Sequence, residues 1–357
     1  MEPLKLVQPR LLDLEEYEPV RPLDVLAAEL GLPADQIAKL DANENLYGPH
    51  PAVLEAIRAA DLHIYPDPAQ TALRAAIAGY LGVRSEQIVA GAGSDEILDL
   101  LFRAVAPAAV VTAPPTFGMY RFLAGLADAE VVEVMRGEGF ELDLEGIERA
   151  VAAGASLVFV TSPNNPTGNA TSRGAIERLC TLPALIIVDE AYAEFSESSC
   201  VDLVSRLPNL VVLRTFSKWA ALAGLRVGYA VCDPSLQRIL MAIKQPYNVN
   251  AAADAAARTA IEQRADILES VAALNHERAR MVGELARFEW LVAHPSEANF
   301  VLFRVLGRDS SDVADQLRRR GVLVRHYSRP ELSGFIRISA GRPQDTDRLV
   351  AALEEIP

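Results

Sequence analysis

Between residues 68 and 214 the chain repeats one pattern, a helix-length amphipathic stretch followed by a run of four to six mostly apolar residues. Helices are expected at 68–81, 94–105, 117–126, 144–153 and 172–180, and strands at 87–90, 109–112, 131–134, 156–161, 185–189 and 210–214. Apolar runs this short, alternating with helices, read as strands buried on both faces. The alternation predicts an α/β fold whose mostly parallel sheet lies between helices, and loops at the carboxyl ends of its strands should line one crevice.

A chain of 357 residues exceeds one typical core, so two domains sharing an interface are expected. Residues 1–40 read as an amino-terminal arm, punctuated by proline and carrying a short helix at 22–30, that packs on the small domain or on a partner. Residues 41–245 form the large domain. Residues 246–357 form a smaller α+β domain: an alanine-rich helical stretch to about 288, strands at 290–293, 298–304, 322–325 and 335–339, and helices at 311–320 and from 343.

A net charge of -14, with no run of lysine and arginine, excludes a nucleic-acid partner. The three cysteines, Cys180, Cys200 and Cys232, have neither metal-ligand spacing nor the even count of a disulfide framework, so no metal is expected. A reducing cytoplasm suits them, and no apolar run approaches the roughly 20 residues that span a bilayer.

The chemistry is concentrated at strand ends. Lys218 and Ser217 follow the apolar run 210–213, where a partly desolvated lysine can form a Schiff base with a carbonyl cofactor. Arg226, eight residues on, and the Ser217 hydroxyl suit a phosphate. Gly91-Ala-Gly-Ser-Asp-Glu96 opens a helix, so the Gly93, Ser94 and Asp95 amides and the Ser94 hydroxyl can meet an anion. The third glycine of a dinucleotide fingerprint is missing.

In Pro114-Pro-Thr-Phe-Gly-Met-Tyr120, Phe117 can stack on a planar ring or serve as a core side chain. Ser162-Pro-Asn-Asn-Pro-Thr-Gly168 offers the Asn165 amide, and Asp189-Glu-Ala-Tyr192 puts a carboxylate and a phenol after a buried run. Asp189 needs a compensating partner, which a protonated ring nitrogen supplies; capping a helix is the alternative. Tyr192 can donate to a phenolate. A Schiff-base lysine, an aspartate for a pyridinium, donors for a ring hydroxyl, an aromatic face and a phosphate cup together point to pyridoxal 5'-phosphate.

The chain resembles the fold-type I aminotransferases, and more closely the histidinol-phosphate aminotransferases, over nearly its full length. The resemblance rests on Asp41-Ala-Asn-Glu-Asn45, Tyr65-Pro-Asp-Pro68, Gly93-Ser-Asp-Glu96, Ser162-Pro-Asn-Asn-Pro-Thr-Gly168, Asp189-Glu-Ala-Tyr192, Ser217-Lys218, Ala223-Gly-Leu-Arg-Val-Gly-Tyr229 and Ile336-Arg-Ile-Ser-Ala-Gly341 in that order. It implies a homodimer with shared active sites, in which Tyr65 reaches the partner's cofactor phosphate. It also implies that Arg337 holds the carboxylate of glutamate or the phosphate of histidinol phosphate, with Arg325 and Tyr17 as further phosphate contacts and Asn43 in a loop closing over substrate. Trp219 and Leu46 depart from the family pattern, and His326-Tyr327 differs from some relatives, leaving substrate choice open. An aromatic amino-acid aminotransferase and a phosphothreonine decarboxylase share the expected fold, and a non-catalytic ligand sensor on it would not require Lys218.

Overall fold

A computed structural model describes residues 3–12, 19 and 21–356; Tyr17 lies outside the described residues. Strands are numbered in chain order: β1 Ala38–Leu40, β2 Ile88–Gly91, β3 Ala109–Thr112, β4 Glu130–Glu133, β5 Leu157–Thr161, β6 Leu185–Asp189, β7 Leu210–Thr215, β8 Gly228–Val231, β9 Leu291–Ala293, β10 Phe300–Val305, β11 Val322–His326 and β12 Phe335–Ser339. They form a seven-stranded sheet in the order β2-β8-β7-β6-β5-β3-β4 and a five-stranded sheet in the order β1-β11-β12-β10-β9.

The large sheet is parallel from β7 to β4, as the alternation predicts. Strand β8 runs antiparallel to both neighbours. Because side chains alternate between faces, Val158, Val160, Val188 and Val212 enter one core, while Leu157, Phe159, Ile187, Val211 and Leu213 enter the other. Both faces are covered, so every residue of β5 and β7 is buried. The edge strand β4 instead presents Glu130 and Glu133 to solvent, which discourages pairing with another edge.

The sequence expectations for most elements hold to within a few residues. Three elements were not anticipated: β1, which pairs parallel to β11, β8, and the helix Pro234–Ile243. The alanine-rich stretch divides into helices Ala251–Glu262 and Arg264–Leu285. The first of these lies beyond the boundary drawn at 245, yet its Ala253, Ala256, Ala257 and Ala260 are buried in the core of the large sheet. Alanines on one helical face let another helix approach closely, and Pro51–Arg58 packs there. In the arm, Leu26 of helix Leu23–Leu30 packs on Leu323 of β11, while Arg10 bonds the Leu126 carbonyl at 3.1 Å.

Candidate active site

One cavity of about 970 Å³ opens at the carboxyl ends of the large-sheet strands and against β11 and β12 of the small sheet. It brings together Ser94, Asp95, Phe117, Asn165, Asp189, Tyr192, Ser217, Lys218, Arg226, Arg325, Arg337 and Asn43. Strand alternation dictates much of this arrangement. Asp189 follows Val188 at the end of β6 and therefore faces the same side as Ile187, where Tyr120 and Phe159 lie. Its register partner Thr161 ends β5 on that side.

Asp189 is buried, with Oδ2 accepting from the Tyr120 hydroxyl at 2.8 Å and Oδ1 from the Ala191 amide at 3.1 Å. Burial pushes its carboxyl up to about 6, against the lowering effect of the Tyr120 bond. A neutral phenol is thus its nearest donor, and a cation placed beside it would favour the ionised form. Tyr120, which also shares a 2.8 Å bond with Thr161, is a contact that sequence reasoning missed. Phe117 stands edge-on to Tyr120, with centroids 5.6 Å apart. It precedes the helix Met119–Ala127 instead of starting it, as the pattern had implied.

Lys218 is partly buried, and its Nζ donates to the Ala42 carbonyl at 3.3 Å. Burial first, and then the Arg337 guanidinium, lower its pKa to about 8. Nζ lies 5.9 Å from the centroid of the Tyr192 ring. The Tyr192 phenol is itself buried, which raises it to about 12, and it accepts from Asn43 Nδ2 at 2.9 Å. The neighbouring Trp219 turns away into the core, fully buried and stacked on Tyr80. Arg214 also faces away from the cavity, in a buried ion pair with Glu190 at 2.8 Å.

Ser94, Asp95, Ser217 and Arg226, from three segments, line one part of the cavity as a cup. Arg226, in the left-handed region at φ 50°, pairs with Asp95 at 2.9 Å. Burial raises the Asp95 carboxyl while Arg226 and Lys218 act to lower it. The Ser217 hydroxyl accepts from Thr215 at 2.9 Å, so its own hydrogen can point into the cup. Thr215 was not read from the sequence.

The cup depends on two glycines. A Cβ on Gly93 would lie 2.7 Å from Arg226 Nη2, and one on Gly228 would lie 2.6 Å from the Ser94 amide nitrogen and 3.0 Å from the Arg214 carbonyl. The second clash is with backbone on two sides, so it has no cheap escape. Gly228→Ala is therefore expected to destabilise the protein by about 1–3 kcal/mol and to weaken anion binding. A wild-type denaturation midpoint together with unchanged anion affinity would refute this reading.

On the opposite wall, Arg325 and Arg337 are register partners on β11 and β12. Like charges directly opposite in an antiparallel pair repel unless an anion lies between them. Arg337 is buried, donates to Asn165 Oδ1 and to the Asp41 carbonyl at 2.6 Å each, and keeps a buried Nε without a partner. Tyr65 is not in this cavity: it is 78% exposed and stacks on Tyr247 at 4.5 Å. Asn43, expected on a loop closing over substrate, is 1% exposed with its amide on Tyr192. Among the described residues no cluster could hold a metal ion, and no helix is long and apolar enough to cross a membrane.

The model of the aminotransferase class I and II family matches residues 35–353. A histidinol-phosphate aminotransferase of Roseiflexus castenholzii is 47% identical over 98% of each chain. The crystal structure of histidinol-phosphate aminotransferase from Sinorhizobium meliloti, in complex with pyridoxal-5'-phosphate, superposes with a TM-score of 0.89 at 30% identity, covering 98% of this chain and 96% of that one. L-threonine-O-3-phosphate decarboxylase from Porphyromonas gingivalis, at 22% identity and a TM-score of 0.78 over 88% of this chain and 98% of that one, shares the fold alone. With a fold-type I architecture, a strand-end lysine and a match over nearly the whole length, the chain belongs to the class I and II aminotransferases and, within them, to the histidinol-phosphate aminotransferases.

Proposed function

We propose that the protein uses pyridoxal 5'-phosphate to transfer the amino group of L-histidinol phosphate to 2-oxoglutarate, giving imidazole-acetol phosphate and L-glutamate in histidine biosynthesis. The carrying observation is that a lysine lowered to about 8 shares one cavity with a buried aspartate, an anion cup and a facing pair of arginines. The cofactor fits these residues. Gly93 and Gly228 let Arg226 and the Ser94 amide pack together where any Cβ would clash, and a cation beside Asp189 would offset the burial that raises its carboxyl. When bound, pyridoxal phosphate supplies an aldehyde that takes up the amino group and a ring that withdraws electrons from the carbon being deprotonated.

In this reading the chain's residues divide the work. The Gly93–Asp95 amides, Ser94, Ser217 and Arg226 hold the phosphate. Asp189 keeps the ring nitrogen protonated, Phe117 covers the ring face, and Asn165 and Tyr192 serve the ring oxygen. Lys218, nearly half unprotonated near its pKa of about 8, moves the proton at the substrate α-carbon. Arg337, with its unpartnered Nε, and Arg325 receive the substrate anion; glutamate and histidinol phosphate use this place in turn.

The assembly we propose is a homodimer, with Tyr65 serving the partner subunit's phosphate cup. Its exposure outside its own cavity, beside exposed Leu62 and Ile64, supports this. The unpaired cysteines suit a reducing cytoplasm.

Glutamate formation from 2-oxoglutarate, with histidinol phosphate, phenylalanine or phosphothreonine as the other substrate, tests the assignment. Equal turnover of phenylalanine would favour an aromatic aminotransferase, and carbon dioxide without glutamate would favour a decarboxylase. Arg325→Gln is expected to lower kcat/KM for histidinol phosphate by about 10- to 150-fold, the worth of a hydrogen bond to a charged group. A smaller effect is expected on glutamate; equal losses for both would remove Arg325 from phosphate recognition.

A further inference from the structure

Asn43 lies just beyond β1, where the chain passes over the cavity, with its backbone at φ 54°. It is buried, and its polar atoms are engaged within the protein. Its amide N–H donates to Ser339 Oγ at 2.9 Å, and its carbonyl accepts from Asn299 Nδ2 at 3.0 Å. The Ser339 hydroxyl donates back to Asn43 Oδ1 at 2.9 Å, closing a small ring of bonds. The side-chain nitrogen then faces the Tyr192 hydroxyl at 2.9 Å.

This ring decides which end of the amide meets the phenol. The Ser339 oxygen receives the Asn43 N–H, and its own hydrogen finds its acceptor in Asn43 Oδ1. Nδ2 must therefore point at Tyr192. A phenol that receives a hydrogen bond keeps its own hydrogen for another acceptor. Tyr192 lines the cavity, with Phe300 edge-on to its ring at 5.1 Å, so that hydrogen is available on the cavity side. A reversed amide would present oxygen to Tyr192 and take the hydrogen away from the cavity.

We propose that Asn43 and Ser339 are positioning residues that fix the direction of the Tyr192 hydrogen bond, making the phenol a donor to the anionic oxygen of the bound cofactor ring. This rests on the function proposed above. The device also ties the two sheets together, because Ser339 and Arg337 lie on the same strand, β12, while Tyr192 follows β6. The strand that receives the substrate anion thereby also orients the donor to the cofactor.

A hydrogen bond donated to the ring oxygen favours its negative charge and so lowers the pH at which the bound chromophore loses its proton. The test is the pH midpoint of the cofactor's absorbance in the cofactor-loaded protein, compared among wild type, Ser339→Ala, Asn43→Asp, Tyr192→Phe and the two double variants with Tyr192→Phe. Tyr192→Phe is expected to raise the midpoint by about 1–2 units, the worth of a hydrogen bond to a charged group. Ser339→Ala should raise it by a fraction of that in the wild-type background and leave it unmoved once the Tyr192 hydroxyl is gone. Asn43→Asp should also raise it, by more with the hydroxyl present than without, the remainder being its charge.

Equal shifts with and without the hydroxyl, or no shift from Ser339→Ala where Tyr192→Phe gives one, overturn the inference. Failure of the unmodified protein to bind pyridoxal phosphate would overturn the proposed function itself, and the inference with it.

Discussion

Lys218→Ala is expected to lose amino transfer by about 10²- to 10⁴-fold or more, the range for removal of a positioned proton-transfer group, while still folding and retaining pyridoxal phosphate. The separation follows from the geometry. The cup of Ser94, Ser217 and Arg226 owes nothing to the lysine amine, whose hydrogen-bond partner is the Ala42 carbonyl. A multiple-turnover assay reads the first property, and dialysis followed by cofactor quantitation reads the second. Sustained turnover by the alanine variant would remove Lys218 from the mechanism. The wild-type lysine should also show its own titration. With a pKa of about 8, its free-amine fraction climbs about tenfold between pH 7 and 9, and the rate at which apo-protein takes up the aldehyde should follow. A flat rate over that interval would contradict the lowered pKa.

Asp189→Asn is expected to have two effects of opposite sign. Activity should fall by about 10²- to 10³-fold, comparable with the loss of one fixed electrostatic partner at a reacting group. The apo-protein, in contrast, should become more stable at neutral pH. Proton linkage sets the sign: the folded carboxyl titrates at about 6, above the ordinary 3.8, so the native state binds more protons than the unfolded state between those values. Its contribution to stability is complete below pH 3.8, declines as pH rises through 6, and remains unfavourable above. The variant's advantage should accordingly be present at pH 7 and vanish near pH 4. Denaturation midpoints of both apo-proteins across that interval provide the check; a variant less stable than wild type at pH 7 would show that the ionised carboxylate is better accommodated than its burial implies. A buried charge kept at a cost in stability marks a group retained for function.

The parallel core was legible because its strands are buried on both faces and so read as continuous apolar runs, as in Leu185-Ile-Ile-Val188 and Leu210-Val-Val-Leu213. Lys218, Asp189 and Ser94 were legible for a related reason, since polar residues stood just beyond such runs, and Arg226 was read from its spacing to Lys218. Strand β1 was not, since three residues carry no period. The β8 strand passed as part of the glycine-rich motif that precedes it. Tyr120 could not be found from the sequence, because it sits on the inward face of a helix, and its bond to Asp189 exists only once that helix covers β5 and β6. Asn43 was recognised by its motif but given a place facing the substrate. Its partners Ser339 and Tyr192 are distant in sequence and become neighbours only when the two sheets meet.

Strand β8 is the one member of the large sheet that runs against the rest. After Lys218, the chain therefore turns around and re-enters beside β7 through Gly228, instead of crossing a face as a helix. Lys218 and the Arg226 guanidinium thus lie on a single return between β7 and β8 whose length is pinned at both ends. An insertion within residues 219–225 would swing Arg226 away from the helix start at Ser94 without disturbing either strand. The connection between Lys218 and Arg226 should therefore be sensitive to changes of length, unlike the crossover connections elsewhere in the sheet.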